Sequence, residues 1–229
     1  SYDGYLYAID ETDGTVRWRF RAQRGIVSRP LPTADAVIFG SEDRAVYAIS
    51  RQHGREVWSF RTNMAVRSSA VSDDRACYIG SDDGFVYRLE RARGTVGWRY
   101  RTWGPVRSTP VLVGSMVVFG SDDGYLYAVH RESGSLCWRV HFGAPIQSSP
   151  AVDGGIVVVG AADGAVRAVA EADGKLLWSY QTVKAVIASP TIVDATVYIG
   201  SADGAEYALD LHTGSLNWKT SLCRQVTGS

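Results

Sequence analysis

Vicinal carboxylates, hydroxyl pairs and two arginines are the groups with the most chemical potential in this sequence. Asp82-Asp83 and Asp122-Asp123 invite a calcium reading. A calcium loop, however, gathers about six or seven oxygens with a bidentate Glu at a fixed place, and no such set surrounds these pairs, so no metal is expected. Ser68-Ser69, Ser108-Thr109 and Ser148-Ser149 offer hydroxyl nucleophiles, which need an adjacent His or Lys base to react. The four histidines, at 53, 130, 141 and 212, are out of phase with these serines, so no catalytic residue is expected. Cys77, Cys137 and Cys223 have no short spacing that suggests a disulfide framework or a zinc pair. They are read as small packing residues.

The elements that carry these groups follow from a repeat. Trp occurs at 18, 58, 98, 138, 178 and 218, Asp at 3, 43, 83, 123, 163 and 203, and Gly at 14, 54, 94, 134, 174 and 214, so three columns hold a 40-residue period without insertion. Self-similarity at such a period signals a repeat architecture. Within one unit, Tyr125 to Val129 reads as a strand apolar on both faces. It is followed by turn residues, the segment 135–140 with Trp138, the segment 146–152, and the segment 156–160. No window has helical periodicity. Four short antiparallel strands per 40 residues, apolar on both faces, predict an all-β chain of propeller blades rather than a solenoid.

Departures from the repeat are the candidate functional positions. One inner-strand column reads Val27, Arg67, Arg107, Gln147, Ile187 and Thr227, and the one out-of-phase tryptophan, Trp103, lies in the loop leading into Arg107. A planar indole near paired guanidiniums suits a planar or anionic ligand or a peptide carboxylate, so Arg67, Arg107, Gln147 and Trp103 are the expected binding residues at one axial end. Two further departures are charges in apolar columns. Arg167 interrupts a column of tyrosines, and Glu206 ends the column Leu6, Val46, Val86, Leu126, Val166. They meet across one interface if the tyrosine face points forward in chain order; if it points backward, Glu206 must reach solvent or an end of the stack.

Composition narrows the partners. The 24 Lys and Arg balance 24 Asp and Glu, which removes the basic footprint a nucleic-acid binder needs. The longest apolar runs are far shorter than the roughly 20 residues that span a bilayer, so no membrane span is expected.

The run Ala208-Leu209-Asp210-Leu211-His212-Thr213-Gly214-Ser215-Leu216-Asn217-Trp218, with similar runs ending at Trp18, Trp58, Trp98, Trp138 and Trp178, resembles the tryptophan-docking motif of pyrroloquinoline-quinone-type (PQQ-like) propellers. The resemblance extends over the whole chain. It implies a single propeller domain over 1–229 with blades 25–64, 65–104, 105–144, 145–184 and 185–224. Residues 1–24 and 225–229 then belong to a closing or neighbouring blade, in a six-bladed ring or an arc of a seven- or eight-bladed one. It also implies that each Trp packs on the Gly-bearing turn of a neighbouring blade. The dehydrogenases of this family hold PQQ and calcium with Glu and Asn, a catalytic Asp, a vicinal Cys pair and long insertions. This chain has two asparagines, Asn63 and Asn217, no adjacent cysteines and no insertion. The resemblance therefore favours the family's non-enzymatic branch, without a cofactor: a platform for a protein or peptide partner or a small anionic ligand, such as a kinase sensor or an envelope assembly factor. A PQQ- and calcium-dependent dehydrogenase is the alternative, and an extracytoplasmic setting is favoured.

Overall fold

The computed structural model describes residues 1–221 and divides into two compact units, Ser1–Arg101 and Thr102 onward. Among the described residues every regular element is a β-strand. The expected inner strand at 225–229 lies outside the described residues.

The first unit begins with a two-stranded sheet, β1 (Tyr5–Ile9) and β2 (Val16–Arg21). Two four-stranded sheets follow, β3 (Leu31–Pro32) to β6 (Glu56–Arg61) and β7 (Val71–Ser72) to β10 (Val96–Arg101), each in sequential antiparallel order. The second unit holds three sheets of the same design, β11 (Val111–Val113) to β14 (Leu136–His141), β15 (Ala151–Asp153) to β18 (Leu176–Gln181) and β19 (Thr191–Val193) to β22 (Leu216–Ser221).

In the four-stranded sheets the second and third strands are largely buried on both faces, as in Val157, Val158 and Val159 of β16 (Ile156–Gly160). Such burial requires sheets stacked face to face. In the second unit Val158, Val166 and Trp178 of one sheet pack on Ile199, Tyr207 and Leu209 of the next. In the first, Ile38, Val46 and Trp58 pack on Ile79, Tyr87 and Leu89.

The innermost strands are shorter than the sequence suggests. The ladder starts at Ala151, after Ser148-Ser149-Pro150, because Pro150 has no N–H and the Ser149 N–H donates to the Ser189 hydroxyl of the next sheet. Ser108 and Ser148 instead accept the N–H of Gly120 and Gly160 from the neighbouring strand of their own sheet. These serines are small because the sheet centre is crowded, and polar because a buried N–H needs an acceptor.

The tryptophans dock as the motif implies wherever the neighbouring run lies in the same unit. The indole N–H of Trp58 donates to the Arg91 carbonyl at 2.8 Å and that of Trp178 to the Leu211 carbonyl at 2.7 Å. Their rings lie on Gly94 and Gly214, where an added Cβ would fall 2.5 and 2.6 Å from ring carbons. Only glycine permits that approach, and both glycines also have positive φ.

Candidate functional site

Each four-stranded blade turns between its second and third strands at a segment of the pattern Ser-x-Asp-Gly, with Arg44 in place of the glycine in one blade and Ala161 in place of the serine in another, and the departures from the repeat gather beside these turns. The turn Asp is spent on structure. Asp83 accepts the N–H of Phe85, the hydroxyl of Tyr87 and the N–H of Asn63 from the preceding blade. Asp43 does the same for Ala45, Tyr47 and Gln23. One carboxylate thus closes its turn, anchors the tyrosine four residues on and ties two sheets together. The tyrosine column and the aspartate column are one device.

Arg167 fits this device from the other side. It forms a bidentate pair with Asp163, at 3.1 and 2.5 Å, and lies 4.9 Å from the centre of the Phe142 ring. Burial alone would raise the Asp163 carboxyl, but the bonds from Arg167 and the Ala165 N–H hold it below its ordinary value. The expected Arg167–Glu206 pair is therefore corrected. Phe142 belongs to the preceding blade, so the tyrosine face points backward in chain order, as Tyr180 against Tyr207 also shows. Glu206 is half-buried on the opposite, forward face of the last described sheet.

In the first unit, Arg67 lies between two carboxylates, its Nε donating to Glu42 at 3.0 Å and its guanidinium also pairing with Asp82, a nearly fully buried group. These residues line a cleft of about 650 Å³ with Arg24, Arg44 and Asn63. Arg44 takes the place of the turn glycine and keeps its left-handed backbone, with φ of 71°. In the second unit, Arg107 pairs with Asp122 at 2.9 Å. Trp103 donates its backbone N–H to Asp123 at 2.9 Å, and the residue is 79% exposed. Trp103 and Arg107 thus flank the same Asp122-Asp123 turn. Gln147 is half-buried at the next position of the column.

The carboxylate partners were missed in the sequence reading, although a signal exists. Arg67 with Asp82 and Arg107 with Asp122 share a spacing of 15, and both members change together in the next blades, to Gln147 with Ala162 and Ile187 with Ala202. Arg67 balanced by Glu42 and Asp82 has little charge left for a free anion, and the site offers both signs side by side.

The same bonds decide how the chain would suit PQQ with calcium. Asp82 and Asp122 are engaged by guanidiniums and the turn aspartates by N–H groups and tyrosines. Among the described residues no three His, Cys, Asp or Glu side chains converge as a metal-ligand set. The residues present do not fit that cofactor.

Comparison with known proteins agrees with this architecture. A family model described as outer membrane protein assembly factor BamB matches residues 1–81, 63–129 and 82–229. The chain belongs to this BamB-like family of PQQ-repeat propellers. Among solved structures, BamB from Moraxella catarrhalis superposes with a TM-score of 0.85 at 18% identity, over 98% of this chain and 72% of that one. Quinohemoprotein alcohol dehydrogenase ADHIIG from Pseudomonas putida HK5 gives 0.77 at 17% identity, over 88% of this chain and 42% of that one. The computationally designed Ika8 protein gives 0.75 at 18% identity, over 100% and 85%. At these identities the superpositions establish the β-propeller fold. A sequence search of curated proteins returned no match.

Proposed function

We propose that this member of the BamB-like family is a non-catalytic interaction platform, a single propeller domain whose turn end receives a protein or peptide partner. The observation that carries this reading is Trp103, a largely exposed residue whose backbone is pinned to Asp123, the neighbour of the Asp122 that pairs with Arg107. A fixed exposed aromatic next to a charged pair is the usual core of a protein contact. Arg107, Gln147 and Trp103 supply this surface in the second unit and Arg67 the corresponding surface in the first. The similarity to an outer-membrane assembly factor supports a role in organising envelope proteins, and a small anionic ligand at the arginines is the secondary reading. The carboxylate partners make a peptide that presents both signs the better match.

The test is selection of peptides on the whole protein from a displayed library, followed by affinity measurement. Trp103→Ala and Arg107→Ala should each weaken selected peptides more than tenfold, and Gln147→Ala less. Equal binding by all variants would move the partner surface elsewhere. Calcium-dependent dye-linked alcohol oxidation after addition of PQQ would overturn the non-catalytic reading.

A further inference from the structure

The cleft in the first unit holds chemistry that the pairing around Arg67 does not exhaust. It opens at the turn between β4 (Ala36–Ser41) and β5 (Ala45–Ser50), has a volume of about 650 Å³ and is lined only by residues between Gln23 and Asp82. A concavity of that size suits a small ligand. Hydrogen bonds fix the backbone of its rim. The N–H groups of Gln23 and Asn63 are held by Asp43 and Asp83, and the Met64 carbonyl accepts the Thr62 hydroxyl at 2.6 Å. The two loops that line the cleft therefore need no ligand to order them.

Arg44 is the departure that matters most here. Its position in the other repeats is taken by Gly4, Gly84, Gly124, Gly164 and Gly204, all with φ between 78° and 85°. Arg44 keeps that left-handed backbone at 71°, where a Cβ is costly. The residue is exposed, and its guanidinium makes no hydrogen bond, ion pair or ring contact among the described residues. Nothing in the local packing offsets the strain, and strain without local compensation points to a contact made with something outside the fold. Glu42, two residues earlier, also keeps spare capacity. Arg67 reaches only its Oε1, through Nε and a terminal nitrogen at 3.0 Å each, which leaves Oε2 as an acceptor. Met64, 53% exposed, adds a flexible apolar surface where the repeat elsewhere has Arg24, Gly104, Ala144 and Lys184.

We propose that this cleft binds a short free peptide, about two or three residues long, by both of its charged ends. The terminal carboxylate pairs with Arg44 and the α-ammonium with Oε2 of Glu42. The apolar last side chain lies on Met64, and the peptide groups meet the side-chain amides of Gln23 and Asn63. A singly charged carboxylate suits the cleft better than a phosphate dianion, because Glu42 and Asp82 also line it and repel a second negative charge. A free peptide suits it better than an internal segment of a folded partner, because a carboxylate and an ammonium lie a few residues apart at its two ends, each ready for a charge-assisted bond. The proposal rests on the interaction-platform reading for a binding surface at the turn end of the first unit, but it uses neither Trp103 nor Arg107, so either can fail alone.

The probe is the unlabelled tripeptide Ala-Ala-Leu, titrated calorimetrically into the whole protein beside its N-acetylated and C-amidated forms. Each blocked form should bind at least tenfold more weakly than the free peptide. Arg44→Gly should weaken the free peptide at least tenfold while keeping or raising the urea midpoint, since glycine is the residue of this turn in the other repeats. If that variant is instead less stable, Arg44→Gln carries the same binding expectation. The proposal is overturned if the free tripeptide does not bind at millimolar concentration, if either blocking group leaves the affinity unchanged, or if the Arg44 variants bind as the native chain does. Trp103→Ala should leave tripeptide binding unaffected, and Arg44→Gly should leave the library-selected peptides unaffected. Loss of tripeptide binding in Trp103→Ala would overturn the proposal equally.

Discussion

The sheets β1–β2 and β3–β6 are written with nearly the same residues and have different physical lives. Ile9 is 59% exposed where Ile49 is fully buried, and Tyr7 stands in solvent where Tyr47 packs between Phe20 and Phe39. Both tyrosines still donate to their turn aspartate, Tyr7 to Asp3 at 3.1 Å and Tyr47 to Asp43 at 2.9 Å. Local hydrogen bonding is therefore a property of the repeat, while burial is a property of having a neighbour. In a stacked array stability divides into such intrinsic and interface parts, and the two sheets separate them within one chain.

The sharpest way to break this comparison is to remove docked and undocked tryptophans. Trp58 is 7% exposed and locked on Gly94, whereas Trp218, on the last described strand, is 43% exposed. Trp58→Ala should cost about 3 to 5 kcal/mol in urea denaturation, and Trp218→Ala less than about 1 kcal/mol. Equal losses would mean that position in the stack does not set the value of the residue.

Glycines sharpen the same point. Gly14 and Gly94 both have positive φ, 74° and 68°, yet a Cβ at Gly14 meets nothing within 4 Å while one at Gly94 would sit 2.5 Å from the Trp58 ring. Gly14→Ala should cost about 1 to 2 kcal/mol, the backbone part alone. Gly94→Ala should cost at least twice that, since it must also displace the indole. A smaller effect is expected at Ser108, whose hydroxyl is the acceptor for the buried Gly120 N–H. Ser108→Ala should cost about 1 to 3 kcal/mol through that orphaned donor, and Ala188→Ser, at the one described position of the column lacking the hydroxyl, should recover part of such a bond.

The sequence makes the blades legible because glycine, aspartate and tryptophan recur in phase and each has one physical use in the fold. The site was legible only in part. Arg67, Arg107, Gln147 and Trp103 stand out as breaks in a column, but a column read alone is silent about which carboxylate faces it. Asp82 and Asp122 were read with their neighbours Asp83 and Asp123 as one acidic motif, although the first of each pair serves an arginine and the second a turn. Arg167 misled for the same reason. A charge in an apolar column suggested a distant partner, while the partner lay four residues away in the turn that the missing tyrosine would have anchored. The direction of stacking, which alone excludes Glu206, is not encoded in the alternation of a strand.

The smallest expected effect concerns protons, and it compares the same turn in the open and the packed sheet. Asp3 and Asp163 are both held below their ordinary 3.8, for different reasons. At Asp3 the leading cause is the backbone N–H of Tyr5, with the Ser1 side chain next and Tyr7 a lesser contributor. At Asp163 the leading influence is burial, which acts upward, and the Arg167 guanidinium is the first of the bonds that overcome it. A carboxyl lowered in the folded state stabilises the fold above its unfolded pKa and loses that contribution as pH falls through the folded value. Tyr7→Phe should therefore leave Asp3 titrating below 3.8, because its main support is the peptide. Arg167→Gln should move Asp163 upward, because the opposing burial persists when the guanidinium is gone. The Arg167→Gln variant should then be less stable than the native chain at pH 7, with the gap narrowing below pH 3.8 as Asp163 is protonated in both. Carboxyl carbon shifts followed by NMR, alongside urea midpoints at pH 7 and pH 3, measure both halves. An Asp163 that stays low in Arg167→Gln would show that the turn amides suffice even in a packed sheet.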